Sequence, residues 1–565
     1  MDDYSIMEKL EFLYGGKTAK VVYKKLNTIL DYYKNKIPST NFEFTEKDTV
    51  LITYGDSIKK EGENPLKTLY KFLHNHLKGL ISIVHILPFY PFSSDDGFSV
   101  IDYKKVNPEL GSWDNIREIA GEFRIMFDAV INHISAKSRE FQGFLNGDNK
   151  YRDYFITPGP EFDTSRVFRP RALPLLTEFK TKWGIKKVWT TFSTDQIDLN
   201  YKNPEVLLFI IDVLLFYVSM GASMIRLDAI AFLWKESGTT CIHLPQTHTV
   251  VKLFREIFNK VAPHVKIITE TNVPHKENIS YFGDGYNEAH LVYNFALPPL
   301  IAHSILTENT NKLSEWAKTL ETPSDETFFY NFTASHDGIG VLPAKGILSD
   351  EEIQFLIDKT FAHGGDVGYR DNPDGTKSPY ELNITYFDLL SNPRSNEDIN
   401  VKVKRFLASQ AIMLSLKGIP AIYYHSLLGS QNYYEGVKLT GVKRAINREK
   451  LSIEKLLKEI NTVSSIRNKV FFGFLKMLRI RKELNYFNPK GNQRILDIHP
   501  SIFAIERGLE EKKQNLLILI NTSKREITLK NPGRYQYDLL SGKKFGDEIK
   551  ITPFETLWLQ QYPQN

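Results

Sequence analysis

Residues 206–229 read VLLFIIDVLLFYVSMGASMIRLDA, and the fold turns on how this stretch is divided. Its first part, Val206 to Ala222, approaches the length and apolarity of a membrane span, which needs about 20 residues. Asp212 interrupts the run, however, and polar, strand-like and turn-like segments flank it closely. The better reading is a helix apolar on all sides, buried in a globular core. Ala222 to Leu227 then forms a short strand that carries Arg226 and delivers Asp228 just past its end. A buried helix feeding a strand that ends on ionisable groups is one unit of a barrel whose chemistry sits at the strand C-termini.

The same rhythm extends in both directions. Strands are predicted at Thr49 to Tyr54, Ile81 to Leu87, Ile125 to Asn132, Ala222 to Leu227, Lys266 to Thr271, Leu291 to Phe295, Phe328 to Ala334 and Ile419 to Tyr424. Eight buried strands alternating with helical segments predict an α/β fold, the (β/α)₈ TIM barrel, over residues 48–137 and 201–490. Residues 1–47 read as a helical N-terminal extension and 138–200 as an inserted B domain. The turn-rich run GDVGYRDNPDGTKSPYEL makes 338–386 a long loop over the barrel mouth. Short alternating segments such as NLLILINTS make 491–565 a C-terminal all-β domain.

Bulk properties narrow the functional class. The 565 residues, 42% hydrophobic, suffice for one large core and a satellite domain. Lys and Arg number 72 against 67 Asp and Glu, so the net charge of +5 is small and mixed in sign, and no nucleic-acid partner is expected. The single cysteine, Cys241, excludes an intramolecular disulfide and a cysteine-based zinc site. An acidic N-terminus without a secretory layout makes the cytoplasm the expected location, with no membrane association. His74 and His76 point to different faces of a predicted helix, and Cys241 lacks the spacing of a thiol nucleophile with His243 and His248, so no metal or cysteine chemistry is expected.

The strand ends gather polar groups. FDAVINH closes on His133, SMIRLDA on Arg226 and Asp228, IITETN contains Glu270, and FTASHDG contains His336 and Asp337. Assembling these at one barrel mouth is costly unless they act together. Carboxylates on neighbouring strands, Asp228 and Glu270, can stand roughly 5 Å apart, the separation at which one attacks an anomeric carbon and the other protonates the leaving oxygen. Arg226 is expected to keep Asp228 ionised.

DAVINH, IRLDA, ITETN and ASHD, in that order, resemble the four barrel motifs of the α-amylase superfamily, glycoside hydrolase family 13, from about residue 48 onward. The resemblance implies a nucleophile at Asp228, an acid/base at Glu270 and a sugar-fixing carboxylate at Asp337, with His133 and His336 as hydrogen-bond donors to the glucosyl unit. SSDDGFSVIDY, RPRALPLLT, TTFSTDQIDLNY and SPYELNITY further resemble its sucrose phosphorylase branch. That implies a salt-bridged pair of Asp95 and Arg444 closing the glucose pocket, Phe98 as the platform beneath the sugar, and Gln196 as a pocket hydrogen-bonder. It also implies Arg171 and Tyr380 as phosphate contacts, inorganic phosphate as cosubstrate, no organic cofactor, no required metal and often a homodimer.

The N-terminal extension, LITYGDS and NPDGTKSPYELNITY resemble the subgroup of that branch that exchanges glucose between 2-O-α-D-glucosyl-D-glycerate and phosphate. Asn272 stands where sucrose phosphorylases carry His, which argues against fructose as acceptor. A glycerate carboxylate needs a cation, for which Arg169, Arg171 and Lys377 are candidates, not apportioned between glycerate and phosphate. Sucrose, sucrose 6-phosphate and glucosylglycerol remain alternative donors, an α-glucosidase a further alternative and a non-catalytic scaffold a remote one.

Overall fold

In the computed structural model, which describes residues 3–38, 40–372, 374–508, 515–532 and 535–560, eight parallel strands close into one barrel in chain order. They are β1 (Val50–Thr53), β2 (Ile83–Ile86), β3 (Arg124–Ala129), β4 (Ala222–Leu227), β5 (Lys266–Thr269), β6 (Leu291–Tyr293), β7 (Phe328–Phe332) and β8 (Ile419–Tyr423). Strand β8 returns to β1, with Ala421 opposite Val50. Seven lie within the predicted segments, and β3 begins at Arg124, one residue before the segment predicted for it.

The helix before β4 spans Pro204–Ser219, with Asn203 capping its start through Glu205 N–H. Its buried residues lie all around its axis, among them Val206, Leu207, Leu208, Ile210 and Ile211, which explains an apolar run without amphipathic period. Asp212 is accounted for too: it accepts a 3.0 Å hydrogen bond from the Tyr33 hydroxyl and pairs with Lys104. Tyr33 belongs to the N-terminal hairpin of α1 (Asp3–Tyr14) and α2 (Gly16–Lys34), which packs on the helices Pro204–Ser219 and Pro245–Val261. Among the described residues, no helix is long and apolar enough to cross a membrane.

Between β3 and β4 the chain forms the helix Arg139–Leu145 and a hairpin of Leu176–Thr181 with Gly184–Trp189. His133–Ser135 pairs antiparallel with Gln196–Asp198, so the excursion leaves and re-enters the barrel side by side, with Ser135 opposite Gln196.

The stretch 338–386 differs from the expected long loop. It holds the helix Asp350–Ala362 and a three-stranded sheet in the order Ile339–Gly340, Lys377–Asn383, Asp366–Asp371. Ser349 and Glu352 form a capping box, and Ile353, Leu356 and Ile357 bury the helix's apolar side. The density of Gly, Pro and Asp suggested open loop, yet those residues serve the hairpin turn and the close approach of its strands, as at Gly365 and Gly368. Residues 1 and 565, the expected outer limits, and Pro373 in that tip lie outside the described residues.

Beyond the barrel, Asn492–His499, Ile502–Gly508, Asn515–Asn521, Thr556–Gln560 and Tyr537–Asp538 form an antiparallel sheet in that spatial order. Arg507 fastens it to the barrel. The buried guanidinium donates to the carbonyls of Ser415 (2.9 Å), Asn488 (3.0 Å) and Asn492 (3.2 Å), and burial lowers its pKa to about 9. Arg507→Leu strips the guanidinium from the Ser415 and Asn492 carbonyls, while Asn488 keeps the Gly491 N–H, and is expected to destabilise the protein by about 2–4 kcal/mol, read as a Tm lowered by several degrees. An unchanged melting transition would show that water replaces the guanidinium there.

Candidate active site

Arg226 organises the C-terminal end of the barrel. Its side chain is buried; Nη1 donates to Asp128 and, at 2.8 Å, to Asp228, and Nε donates to the Tyr293 hydroxyl at 3.0 Å. Nη2 stands 4.0 Å from Glu270. His85 Nε2 lies 2.7 Å from the far oxygen of Asp128, so strands β2, β3, β4 and β6 share one hydrogen-bonded charge network.

Asp228 and Glu270 stand one residue beyond β4 and β5. Ala229 takes a left-handed conformation, φ 48°, and its N–H donates to Glu270 at 3.0 Å. A left-handed alanine costs on the order of 1 kcal/mol. Here the strained turn fixes the two carboxyls relative to each other.

Burial raises the pKa of both Asp228 and Glu270; Arg226 opposes the rise at each, and neighbouring carboxylates reinforce it. The expected Arg226–Asp228 pair is formed and favours the ionised Asp228, but burial is the larger effect, and Arg226 divides its charge between Asp128 and Asp228. The pair is built to hold one proton between two carboxyls. Asp228 has the direct guanidinium contact at 2.8 Å, which favours its charged form against the burial that raises its pKa, while Glu270 stands 4.0 Å from the same group. Such a pair can attack with one member and protonate with the other.

Asp337 behaves oppositely. Burial works against its charge, but Arg444, with Nη1 at 2.5 Å, together with His336 and Arg448, holds it well below the usual carboxylate range. Asp95 is paired with Arg448, 3.4 Å away, and the expected Asp95–Arg444 pair is not formed. Arg444 instead bridges Asp337 and Glu381, gripping Glu381 through Nε (2.9 Å) and Nη2 (2.7 Å). The two arginines lie four residues apart in VKRAINREK, and the sequence alone does not tell which one meets Asp95.

Asp95, Phe98, His133, Gln196 and His336 line the same cavity as Asp228, Glu270, Asp337 and Arg444. Phe98 stacks flat on His336 with ring centres 4.6 Å apart. His133 Nε2 and Gln196 Nε2 both lie 2.9 Å from the Phe98 carbonyl, so each is already engaged in fixing the aromatic platform. Burial lowers the pKa of both imidazoles, which keeps them neutral.

Of the expected anion-binding residues, Arg171 and Tyr380 line the cavity. Arg171 reaches Glu381 at only 3.7 Å and retains freedom to turn. Arg169 and Lys377 are not part of the lining: Arg169 donates to the Leu173 carbonyl and sits 3.5 Å from Asp371, and Lys377 is exposed. Sequence reasoning missed Arg448 and Glu381, along with the aromatic wall of Phe192 and Phe232. Among the described residues, no group of three or more His, Cys, Asp or Glu could hold a metal ion; His74 bonds Glu122 at 2.9 Å, and the Cys241 thiol bonds the Glu236 carbonyl.

The family model for the alpha amylase catalytic domain matches residues 75–340. The chain is 53% identical to the glucosylglycerate phosphorylase of Spirochaeta thermophila, the match covering 98% of each. The chain belongs to the glucosylglycerate phosphorylase family. Another member of the glucosylglycerate phosphorylase family, from Escherichia coli, is 44% identical over 98% of this chain and 99% of that one. Among solved structures, a sucrose 6F-phosphate phosphorylase from Thermoanaerobacter thermosaccharolyticum superposes with a TM-score of 0.74 at 26% identity, covering 91% of this chain and 99% of that one.

Proposed function

We propose that this chain is a retaining disaccharide phosphorylase that transfers an α-glucosyl group between 2-O-α-D-glucosyl-D-glycerate and inorganic phosphate. The observation that carries the reading is the match, at 53% identity over 98% of both chains, to a glucosylglycerate phosphorylase. The cavity supports it with one carboxyl pair, one permanently charged carboxylate and a half-free arginine.

In this reading the Asp228 carboxylate attacks the anomeric carbon while Glu270 gives its proton to the departing glycerate oxygen, leaving a β-glucosyl-enzyme. Glycerate leaves, phosphate enters, and its oxygen attacks the same carbon from the vacated face while Glu270 takes a proton back. Two inversions return the α configuration, giving α-D-glucose 1-phosphate. Asp337 holds the glucosyl hydroxyls throughout, and Asp95 with Arg448 closes the far end of the glucose pocket. The route needs no organic cofactor.

The test is phosphate-dependent release of α-glucose 1-phosphate from glucosylglycerate, sucrose, sucrose 6-phosphate and glucosylglycerol. A rate on glucosylglycerate far above the others is expected; preference for sucrose would replace the acceptor, and glucose release without phosphate dependence would make the enzyme a hydrolase. Arg171→Ala is expected to raise the KM for phosphate about tenfold or more while sparing hydrolysis of the glucosyl-enzyme. Equal loss of both activities would reassign Arg171 to glucose binding or folding.

A further inference from the structure

We propose that Arg370 receives the carboxylate of the organic acceptor and so sets the preference for an acidic acceptor over a neutral one. The inference rests on the phosphorylase reading above and assigns its acceptor subsite a cation that the sequence motifs did not single out.

The placement follows from strand register. Arg370 lies on Asp366–Asp371, opposite Ser378 of Lys377–Asn383. A bulge follows, because Tyr369 opposes Pro379 while Gly368 opposes Glu381, leaving Tyr380 as the extra residue. The bulge lets consecutive side chains, Tyr380 and Glu381, both face the cavity, where Tyr380 forms lining and Glu381 meets Arg171 and Arg444. A Cβ at Gly368 would press within 2.9 Å of Glu381 Cγ, so Gly368 lies directly beneath Glu381 on this face. Arg370, two residues on, alternates onto the same face, adjoining the cavity lining through Phe168 and Phe232 without being part of it, whereas Asp371 and Lys377 alternate off that face.

The chemistry of Arg370 is unfinished. Its guanidinium stacks 5.0 Å from the Phe168 ring, and Phe168 leans on Phe232 of the cavity wall at 6.1 Å. Nε is buried without a hydrogen-bond partner, and among the described residues no carboxylate pairs with the group. Burial lowers its pKa, the only opposing influence being the Tyr380 hydroxyl, as befits a cation whose counter-ion is absent. Stacking on a ring leaves the guanidinium edge open for a bidentate carboxylate. The competing cations are engaged: Arg169 with Asp371, Arg444 with Asp337 and Glu381, Arg448 with Asp95. Arg171, loosely held by Glu381, is left for phosphate, and Arg370 for the carboxylate.

Synthesis from α-glucose 1-phosphate separates the possibilities, with D-glycerate and glycerol as alternative acceptors and donor hydrolysis as the internal reference. Arg370→Gln is expected to raise the KM for D-glycerate about tenfold or more, leaving transfer to glycerol and hydrolysis within about twofold of wild type. Arg370→Lys, which keeps the charge and loses the fork, is expected to fall between. An unchanged KM for D-glycerate in both variants, or a parallel loss of all three activities with an intact melting transition, would overturn the assignment. Wild-type enzyme that ignores D-glycerate would instead sink the functional reading and the inference with it.

Discussion

Asp228→Asn and Glu270→Gln are each expected to lower phosphorolysis of glucosylglycerate by at least about 10³-fold, because both half-reactions pass through both groups. The asparagine amide cannot form the β-glucosyl ester, and Asp128 remains to hold Arg226, so the loss is one of chemistry with the fold intact. Glutamine at 270 still accepts the Ala229 N–H but carries no transferable proton. Glycerate then leaves as an alkoxide, and a donor whose leaving group needs no proton should recover much of the first step in Glu270→Gln and none in Asp228→Asn. The pH profile supplies an independent readout. Burial raises the Glu270 pKa, so the proton persists above the ordinary carboxyl range, and kcat/KM falls on the alkaline side as it is lost. That alkaline limb should disappear in Glu270→Gln. Near-normal turnover in either variant would remove the double-displacement mechanism.

The contrast between what was legible in the sequence and what was not has a physical basis. The eight barrel strands are short and mostly apolar, with the polar residues His85, Asp128 and Arg226 bonded to one another, and burial on both faces leaves no other place for such segments, so pattern alone located them. Asp228 and Glu270 were visible for a related reason: a charge immediately after a buried strand lands at the barrel mouth whatever the loops do, whereas Asp337, five residues beyond β7, was reached through its ASHD motif. The helix Asp350–Ala362 was obscured by turn formers on either side, although Ser349 and Glu352 carry the capping signal. Pairings between loops were out of reach. Asp95 could meet Arg444 or Arg448 equally well on paper, and the 3-10 turn Lys443–Asn447 brings Arg448 to Asp95 and Arg444 to Asp337 and Glu381. Arg370 was hidden more deeply, since the face it shares with Tyr380 and Glu381 follows from a strand pairing, bulged at Tyr380, that the sequence pattern does not reveal.

Asp337→Asn is expected to lower kcat/KM by about 10² to 10³-fold on every α-glucosyl donor, with or without phosphate. The reason lies in what the surrounding cations do. Arg444 and Arg448 keep Asp337 charged against strong burial, so a full negative charge always faces the sugar hydroxyls, and its hydrogen bonds strengthen as the ring flattens and C1 becomes electron-poor. An amide offers the same shape with roughly half the hydrogen-bond strength. Arg444 retains Glu381 and Arg448 retains Asp95, so the pocket should stay assembled and the melting transition should move little. Because the same glucosyl unit passes through both half-reactions, the loss should fall equally on phosphorolysis, synthesis and donor hydrolysis, unlike the selective effects expected at Arg171 and Arg370. A variant that loses phosphorolysis while sparing hydrolysis would place Asp337 in the acceptor subsite. It would also mean that the Asp337–Arg444–Glu381–Arg171 chain of alternating charge, rather than contact with glucose, is how this carboxylate acts.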